Sequence, residues 1–391
     1  MINGPFSPWP SYSEEEARAI ARVLLSNKVN YWTGDEGREF EREFSRFTGS
    51  EYAIAVCNGT TALDLALKGL AIGHGDEVVV TSRTFMASVS SIVTAGAVPV
   101  FADVDPDSQN ITAESVRRVL TPRTRAIIAV HLAGWSCEMT DLMALAEEHG
   151  LYVIEDCAQA HGATYRGRSV GALGHVGAWS FCQDKIMTTG GEGGMVTTSD
   201  RDLWSRMWAY KDHGKSWDAV HEREHPPGFR WLHDSFGTNW RLTEMQAAIG
   251  RIQLRRMPEW TRRRRANLER IHEAARLCHG LRVPDVPEHI GHAAYKAYVF
   301  LEPGELQRDW DRERIIHEID LRSVPCRSGS CSEVYRERAF EGTGWRPSSP
   351  LPVARRLGET SLMFMVHPTL TEGEIGLTCD VLQEVMACAS R

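Results

Sequence analysis

The sequence predicts an α/β protein: a mostly parallel central sheet with helices on both faces, followed by a smaller C-terminal α+β unit. Three observations carry this. From residue 52 to residue 156, short apolar runs alternate with amphipathic ones, the pattern of repeated βα units. One of those runs, Leu151 to Ile154, ends in acid, Glu155-Asp156, and a carboxylate just past a parallel strand sits where such folds put their ligands. From about residue 280 the alternation gives way to a mixed pattern. At 391 residues the chain exceeds what one core needs. The expected division is a large unit over residues 1–250 and a connecting helix plus small unit over 251–391.

Taken in order, residues 1–12 hold three prolines and three aromatics and read as an extended arm. Ser13 with Glu16 three residues on is a capping-box signature, for a helix running to about Asn27. Trp32-Thr-Gly34 reads as a turn. Arg38 to Phe47 reads as an amphipathic helix with Phe40, Phe44 and Phe47 on one face. Tyr52 to Val56 is a strand feeding Cys57-Asn-Gly-Thr-Thr61, and Ala62 to Leu70 is helical. Gly-Thr-Thr at a helix start can gather N–H groups and a hydroxyl around a phosphate; alone, it reads more readily as an ordinary N-cap. Strands follow at Glu77–Ser82, Val98–Val104 and Ala126–Leu132, with helices at Phe85–Ala95, from about Ala113, and at Met139–His149. Phe85, just after a strand end, is placed to stack on a flat ring or to fill a helix-face core.

Beyond Asp156 come a strand (Ala178–Phe181), a lysine, a glycine-rich turn, a strand (Gly194–Thr198) and a helix (Arg201–His213). Residues 214–238 read as a long ordered loop at the site or at an interface. From Leu242 a helical pattern runs to about Leu277, interrupted near Pro258, as a connector between the two units. The remainder offers a strand (Ala294–Phe300), a helix (Asp311–Ile319), a Pro-rich stretch (Trp345–Pro352) and a helix from Thr371.

Asp156 and Lys185 both follow strand ends, so they can face the same crevice. One chemistry needs that pair. Pyridoxal phosphate (PLP) is carried as a Schiff base on a lysine and works as an electron sink only with its ring nitrogen protonated. A carboxylate beside that nitrogen favours the cationic form. On this reading Lys185 is the Schiff-base lysine and Asp156 the pyridinium partner; the alternative is a surface lysine and a strand-end carboxylate that never meet, against which stand the strand-end placement of both and the glycine turn after the lysine.

Composition narrows the rest. Hydrophobic content of 42% and charged content of 25% are those of an ordinary globular protein. A net charge of −8 argues against a general nucleic-acid or membrane-surface role. The only basic run, Arg262 to Arg265, reads as a solvated helix face or an ion-pair site. Nine cysteines, with no Cys-x-x-Cys pair, point to neither a zinc site nor a disulfide framework. Reduced thiols fit a cytoplasmic setting. No secretory signal or membrane-length apolar run is visible.

The motifs Asn58-Gly-Thr-Thr-Ala-Leu63, Thr81-Ser-Arg-Thr-Phe-Met-Ala87, Glu155-Asp-Cys-Ala-Gln-Ala-His-Gly-Ala163, Ser180-Phe-x-x-x-Lys185, Gly191-Glu-Gly-Gly194 and Gly237-Thr-Asn-Trp-Arg-Leu-Thr-Glu-Met-Gln-Ala-Ala248 resemble those of the DegT/DnrJ/StrS sugar aminotransferases, PLP enzymes of the aspartate-aminotransferase fold type I. The resemblance covers most of residues 10–260. It implies that Gly59, Thr60 and Ser180 hold the PLP phosphate, that Phe85 stacks on the ring, and that Gln159 reaches the ring hydroxyl. It gives Asp156 and Lys185 the roles already read from chemistry. Asn239 and Arg241 lie in a segment that family members extend into the neighbouring subunit's site, which implies a homodimer with shared active sites. Related dehydratases carry histidine in place of the lysine, so Lys185 implies transamination. The implied reaction moves an amino group from L-glutamate (glutamine in some branches) to a nucleotide-linked keto-sugar, in surface polysaccharide or glycoconjugate synthesis. An aminocyclitol-type ketone is the alternative acceptor. A PLP-binding regulatory protein without turnover is the alternative class. A His-Tyr-Pro segment common in the family's small domain is replaced here by Val324-Pro-Cys-Arg-Ser-Gly-Ser330, which leaves the acceptor open. Arg327 reads equally as a partner for a diphosphate or carboxylate and as a surface arginine. His161 and His213 read more readily as structural than as substrate contacts.

Overall fold

In the computed structural model, which describes residues 4–391, local sequence sets most of the early elements. Ser13 caps α1 (Glu14–Leu25) with a complete capping box through Glu16. In α2 (Glu36–Thr48) the buried Phe40 and Phe44 share one face, and the helix stops on Gly49 in the left-handed region. The alternating segment then runs β1 (Tyr52–Val56), α3 (Gly59–Gly69), β2 (Glu77–Thr81), α4 (Ala87–Thr94), β3 (Val98–Ala102), α5 (Ala113–Arg117), β4 (Thr124–Val130), α6 (Met139–His149) and β5 (Tyr152–Asp156). A small hairpin, β6 (Thr164–Tyr165) and β7 (Arg168–Ser169), precedes β8 (Val176–Ser180) and β9 (Gly194–Thr198). Helices α7 (Arg201–Lys211), α8 (Trp217–His221) and α9 (Glu244–Arg276) lead to the last part of the chain. There lie β10 (Leu281–Arg282), β11 (Ile290–Gly291), β12 (Lys296–Leu301), α10 (Arg312–Leu321), β13 (Cys326–Arg327), α11 (Pro352–Thr360), β14 (Ser361–Met365) and α12 (Glu372–Ala389).

Seven strands form one sheet in the order β1-β9-β8-β5-β4-β2-β3. The pairings β8-β5-β4-β2-β3 are all parallel, and only β9 runs against its neighbours. Alternate residues feed opposite faces, as the strand period requires. Val78 and Val80 pack with Leu63, Leu67 and Ile92 on one side. Val79 packs with Ile127, Leu142 and Val153 on the other. Both faces are covered, which is why these strands read as continuous apolar runs. A second sheet, β10-β12-β14-β13, is antiparallel. It shares a core with Leu268 and Ile271 of α9, Ile315 and Ile319 of α10, and Leu382 and Val385 of α12.

Several expectations change. The helical pattern from Leu242 is not interrupted: α9 runs 33 residues through Pro258. Pro258 is on the exposed side, so the carbonyl that loses its N–H partner can turn to water, while Leu254 and Met257 stay packed inside. Residues 214–238 are not wholly irregular, because Ser216 caps the short α8. The strands at β13 and β14 carry no sequence signal strong enough to predict them; they form by pairing with distant partners. Phe85 precedes α4 rather than opening it. The basic run is not a uniform solvated face: Arg262 pairs with Glu259, but Arg264 is 1% exposed. The expected arm of residues 1–12 lies partly outside the described residues, at positions 1–3; Trp9 of that arm packs edge-on against Trp260 of α9. Among the described residues no helix is long and apolar enough to cross a membrane, and all nine cysteines are free thiols.

Candidate active site

The carboxyl ends of β1, β2, β4, β5 and β8 open onto one crevice of about 730 Å³. Its sheet-end wall carries Asn58, Gly59, Thr60, Phe85, Asp156, Gln159, Ser180 and Lys185. The facing wall comes from the small sheet and its loops, with Tyr298, Arg327, Ser330 and Met363. A separate groove of about 820 Å³ lies by α6 and the β6–β7 hairpin, at the amino end of β5, and holds none of the expected site residues.

Backbone economy shapes the β1–α3 corner. The Asn58 side chain caps α3 by accepting from Thr61 N at 2.9 Å, so the helix start is a genuine N-cap. It is also more than that. A Cβ at Gly59 would stand 2.5 Å from Ser180 Cβ, and one at Gly194 would stand 2.3 Å from the Asn58 carbonyl oxygen. Only glycine lets β8, β9 and the start of α3 approach this closely. The result is a cradle with the α3 N-terminus on one side and the Ser180 hydroxyl on the other. It suits an anion with several oxygens.

Asp156 and Glu155 are adjacent but face opposite ways. Asp156 is 6% exposed. Ser88 Oγ of α4 donates to its Oδ2 at 2.7 Å and Ala158 N donates to its Oδ1 at 3.1 Å. Two bonds fix the carboxylate and leave acceptor capacity for a ligand. Glu155 instead is spent inside. It bonds the His131 ring at 2.9 Å and accepts from Gly171 N, Leu173 N and Gly174 N. Burial works to raise its carboxyl, but the His131 ring and these N–H donors outweigh that and hold it below its ordinary value. This pair, with Cys157, lies close enough to suggest metal ligands; Glu155 already accepts four bonds, so the cluster reads as a tie holding the 171–174 turn under β8.

Lys185 lines the same sheet-end wall, its side chain 16% exposed and Nζ 3.7 Å from Asp184 Oδ1. Its carbonyl accepts from the indole N–H of Trp9 at 2.9 Å. The Gln159 amide oxygen accepts from Ala133 N at 2.9 Å, which turns its NH₂ away from that bond and leaves it to donate. Phe85 lines the crevice although 70% exposed, a flat ring with an open face. Asn239 and Arg241 do not line this crevice. Arg241 donates to Asp212 at 2.5 Å, and Asn239 is exposed. Arg327 reaches the rim but is engaged by Asp320. His161 is buried between the rings of Trp179 and Phe181, and burial pushes its pKa down to about 3; it lies behind the wall.

The residues present fit PLP: an amine, a carboxylate, an anion cradle and an aromatic face converge on one cavity. The family model for DegT/DnrJ/EryC1/StrS aminotransferases matches residues 10–383. The chain belongs to this aminotransferase family. A GDP-perosamine synthase of Caulobacter vibrioides is 36% identical over 91% of this chain and 92% of its own length. An L-glutamine:2-deoxy-scyllo-inosose aminotransferase of Streptomyces fradiae is 39% identical over 68% of this chain and 64% of its own. The solved aminotransferase of Psychrobacter cryohalolentis superposes with a TM-score of 0.97 at 62% identity, covering 98% of this chain and 99% of that one. The family membership makes amino-group transfer the reaction class and a PLP-type α/β architecture the fold.

Sequence reasoning missed Ser88, Trp9, Lys296 and Tyr298. Ser88 lies in the first turn of α4, three residues past Phe85, a spacing that could have placed it beside the strand ends. Trp9, Lys296 and Tyr298 arrive from distant segments, and nothing local marks them.

Proposed function

We propose that this protein is a PLP-dependent aminotransferase that moves an amino group from an amino-acid donor, L-glutamate or glutamine, to a nucleotide-linked keto-sugar. The observation that carries it is the placement of Asp156 and Lys185 in one crevice beside the Gly59–Ser180 cradle. PLP, when bound, supplies an electron sink for the electron pair left at the donor's Cα. Lys185 would hold the cofactor through Nζ and, once released, move a proton as a general base from that Cα. Asp156, fixed by Ser88 and Ala158, would be the carboxylate that keeps the ring nitrogen protonated. Gly59, Thr60 and Ser180 would hold the phosphate, Phe85 would cover the ring face, and Gln159 would donate to the ring hydroxyl.

A homodimer with shared sites is part of this reading. Asn239 and Arg241 stand outside their own crevice, and the preceding loop exposes Phe229, Trp231 and Phe236 at 77%, 79% and 98%. Such a patch favours burial against a second copy. We assign the keto-sugar as acceptor because named relatives along most of the chain act on nucleotide sugars. An aminocyclitol ketone is the second reading, favoured by the inosose aminotransferase relative.

Borohydride reduction with PLP and peptide mapping tests the core. A pyridoxyl group on Lys185 is expected; a folded, PLP-saturated protein with no label there would overturn it. Assays with nucleotide keto-sugars and with scyllo-inosose then separate the two acceptors, and sedimentation of the PLP-loaded protein tests the dimer.

A further inference from the structure

The small-sheet side of the crevice holds a buried positive charge that nothing in the reading above uses. Arg264 of α9 is 1% exposed. Its guanidinium lies 4.9 Å from the Trp9 ring centre, and Nη1 donates weakly to the carbonyls of Ala294 and Tyr295 at 3.4 and 3.5 Å. Its Nε and Nη2 have no hydrogen-bond partner, and no carboxylate among the described residues pairs with it. Beside it, Lys296 of β12 spends only one of its three N–H donors, on the Met365 thioether at 3.1 Å, a weak acceptor. Both line a small cavity of about 30 Å³, closed by Trp9, Asp184, Tyr295 and His367. Asp184, Tyr295 and Lys296 also line the main crevice, so the two spaces adjoin.

The charges do not balance. Arg264 and Lys296 line this cavity, and Asp184 is the one carboxylate that does; that carboxylate already engages Lys185, which lines the main crevice, and the Tyr295 hydroxyl. A buried cation without a counter-ion is costly. The two cations that line the cavity stand against one carboxylate, so one monovalent anion would restore neutrality there and bring the guanidinium an acceptor. The competing occupant is a water, for which the volume also suffices. His367 Nδ1 donates to Thr369 Oγ1, because that hydroxyl gives its proton to the Pro8 carbonyl; Nε2 is then an acceptor that such a water could serve.

We infer that Arg264 and Lys296 form a subsite for one small anion, and that its occupant during turnover is a carboxylate of the amino-acid donor. The second half rests on the proposed function. An amino acid whose Cα lies near Lys185 must put its carboxylate somewhere in the crevice, and Lys296 is the unspent cation adjoining it.

The test uses the PLP-loaded protein at constant ionic strength, exchanging gluconate, too bulky for the cavity, for formate. Formate is expected to raise the melting temperature of the wild type, and Lys296→Met to lose most of that rise. Arg264→Met should lose it as well; should that variant fail to fold, Lys296→Met carries the test. No rise with formate, or an equal rise in Lys296→Met, overturns the subsite and leaves a water there. Kinetics then assign the occupant. Formate competing with glutamate, with Lys296→Met raising the donor KM about tenfold or more and the keto-sugar KM much less, supports the donor carboxylate. Formate binding without competition overturns that half in favour of a resident inorganic anion. The melting experiment needs no turnover, so a protein that binds formate but transfers no amine would sink the proposed function and leave the subsite standing.

Discussion

The two walls of the crevice are built on different principles. The sheet-end wall is local: Asp156 and Ser180 are the last residues of β5 and β8, Lys185 follows β8 closely, and Gly59 opens the helix after β1. The opposite wall is assembled from β12, β14 and the 326–334 segment, and it is held in place at long range. Arg83, just past β2, donates from Nε to Gln109 at 2.9 Å, from Nη1 to Ser332 Oγ at 2.7 Å and from Nη2 to Ser361 Oγ at 3.2 Å, and it is wholly buried. It ties the large sheet to the loop bearing Gly329, Ser330 and Cys331. The difference teaches where to look for chemistry and where for specificity. On the proposed function, the groups that carry the reaction sit on the ends of parallel strands, and the opposite wall, whose position depends on the Arg83 tether, is where substrate choice is to be tested.

The comparison can be broken at several points. Lys185→Ala should lower kcat by ~10³-fold or more and remove borohydride-fixable cofactor, with an unchanged far-UV spectrum; near-normal turnover would mean the sheet-end wall is not the chemical one. Asp156→Ala and Glu155→Gln should separate two neighbours. The first weakens PLP binding and slows proton transfer ~10²-fold at nearly unchanged melting temperature. The second opens a buried polar network and costs about 3 kcal/mol of stability, read by denaturant melts. If both behaved alike, the opposite facing of the two carboxylates would be wrong. Arg83→Met should raise the KM for the sugar nucleotide several-fold with little change in PLP affinity; a change in PLP affinity alone would place Arg83 with the other wall.

The smallest effect is with pH. Burial, and then the nearby Arg264, push Lys296 down to about 8 against the opposing pull of Asp184, and Lys185 adds to the lowering. A lysine lowered in the fold is protonated only below that value, so formate's stabilisation should be full below pH 7 and fade as pH rises through about 8. The same group makes the folded protein bind fewer protons than the unfolded chain between about 8 and its ordinary 10.5. Its own contribution to stability without formate therefore rises over that window. A formate effect flat from pH 7 to 9 would remove Lys296 from the anion subsite.

Much of this was legible in the sequence. The capping box at Ser13, the βα alternation and the buried runs of β2, β4 and β5 follow from side-chain period and local hydrogen bonding. Strand-end placement brought Asp156 and Lys185 to notice, chemistry gave them a shared purpose, and the family motifs agree with it. The sequence by itself determined the parallel sheet and the amine–carboxylate pair, because those depend on contacts a few residues long and on strand ends that open one way. Only the tertiary structure decided that Glu155 turns inward while Asp156 turns out, that α9 survives Pro258, that Arg264 is buried without a carboxylate partner among the described residues, and that Lys296 adjoins the crevice. Each depends on which distant surface covers a residue. One arginine in a basic run differs from its neighbours only by what packs over it, and that is set by burial and charge balance summed across the whole chain.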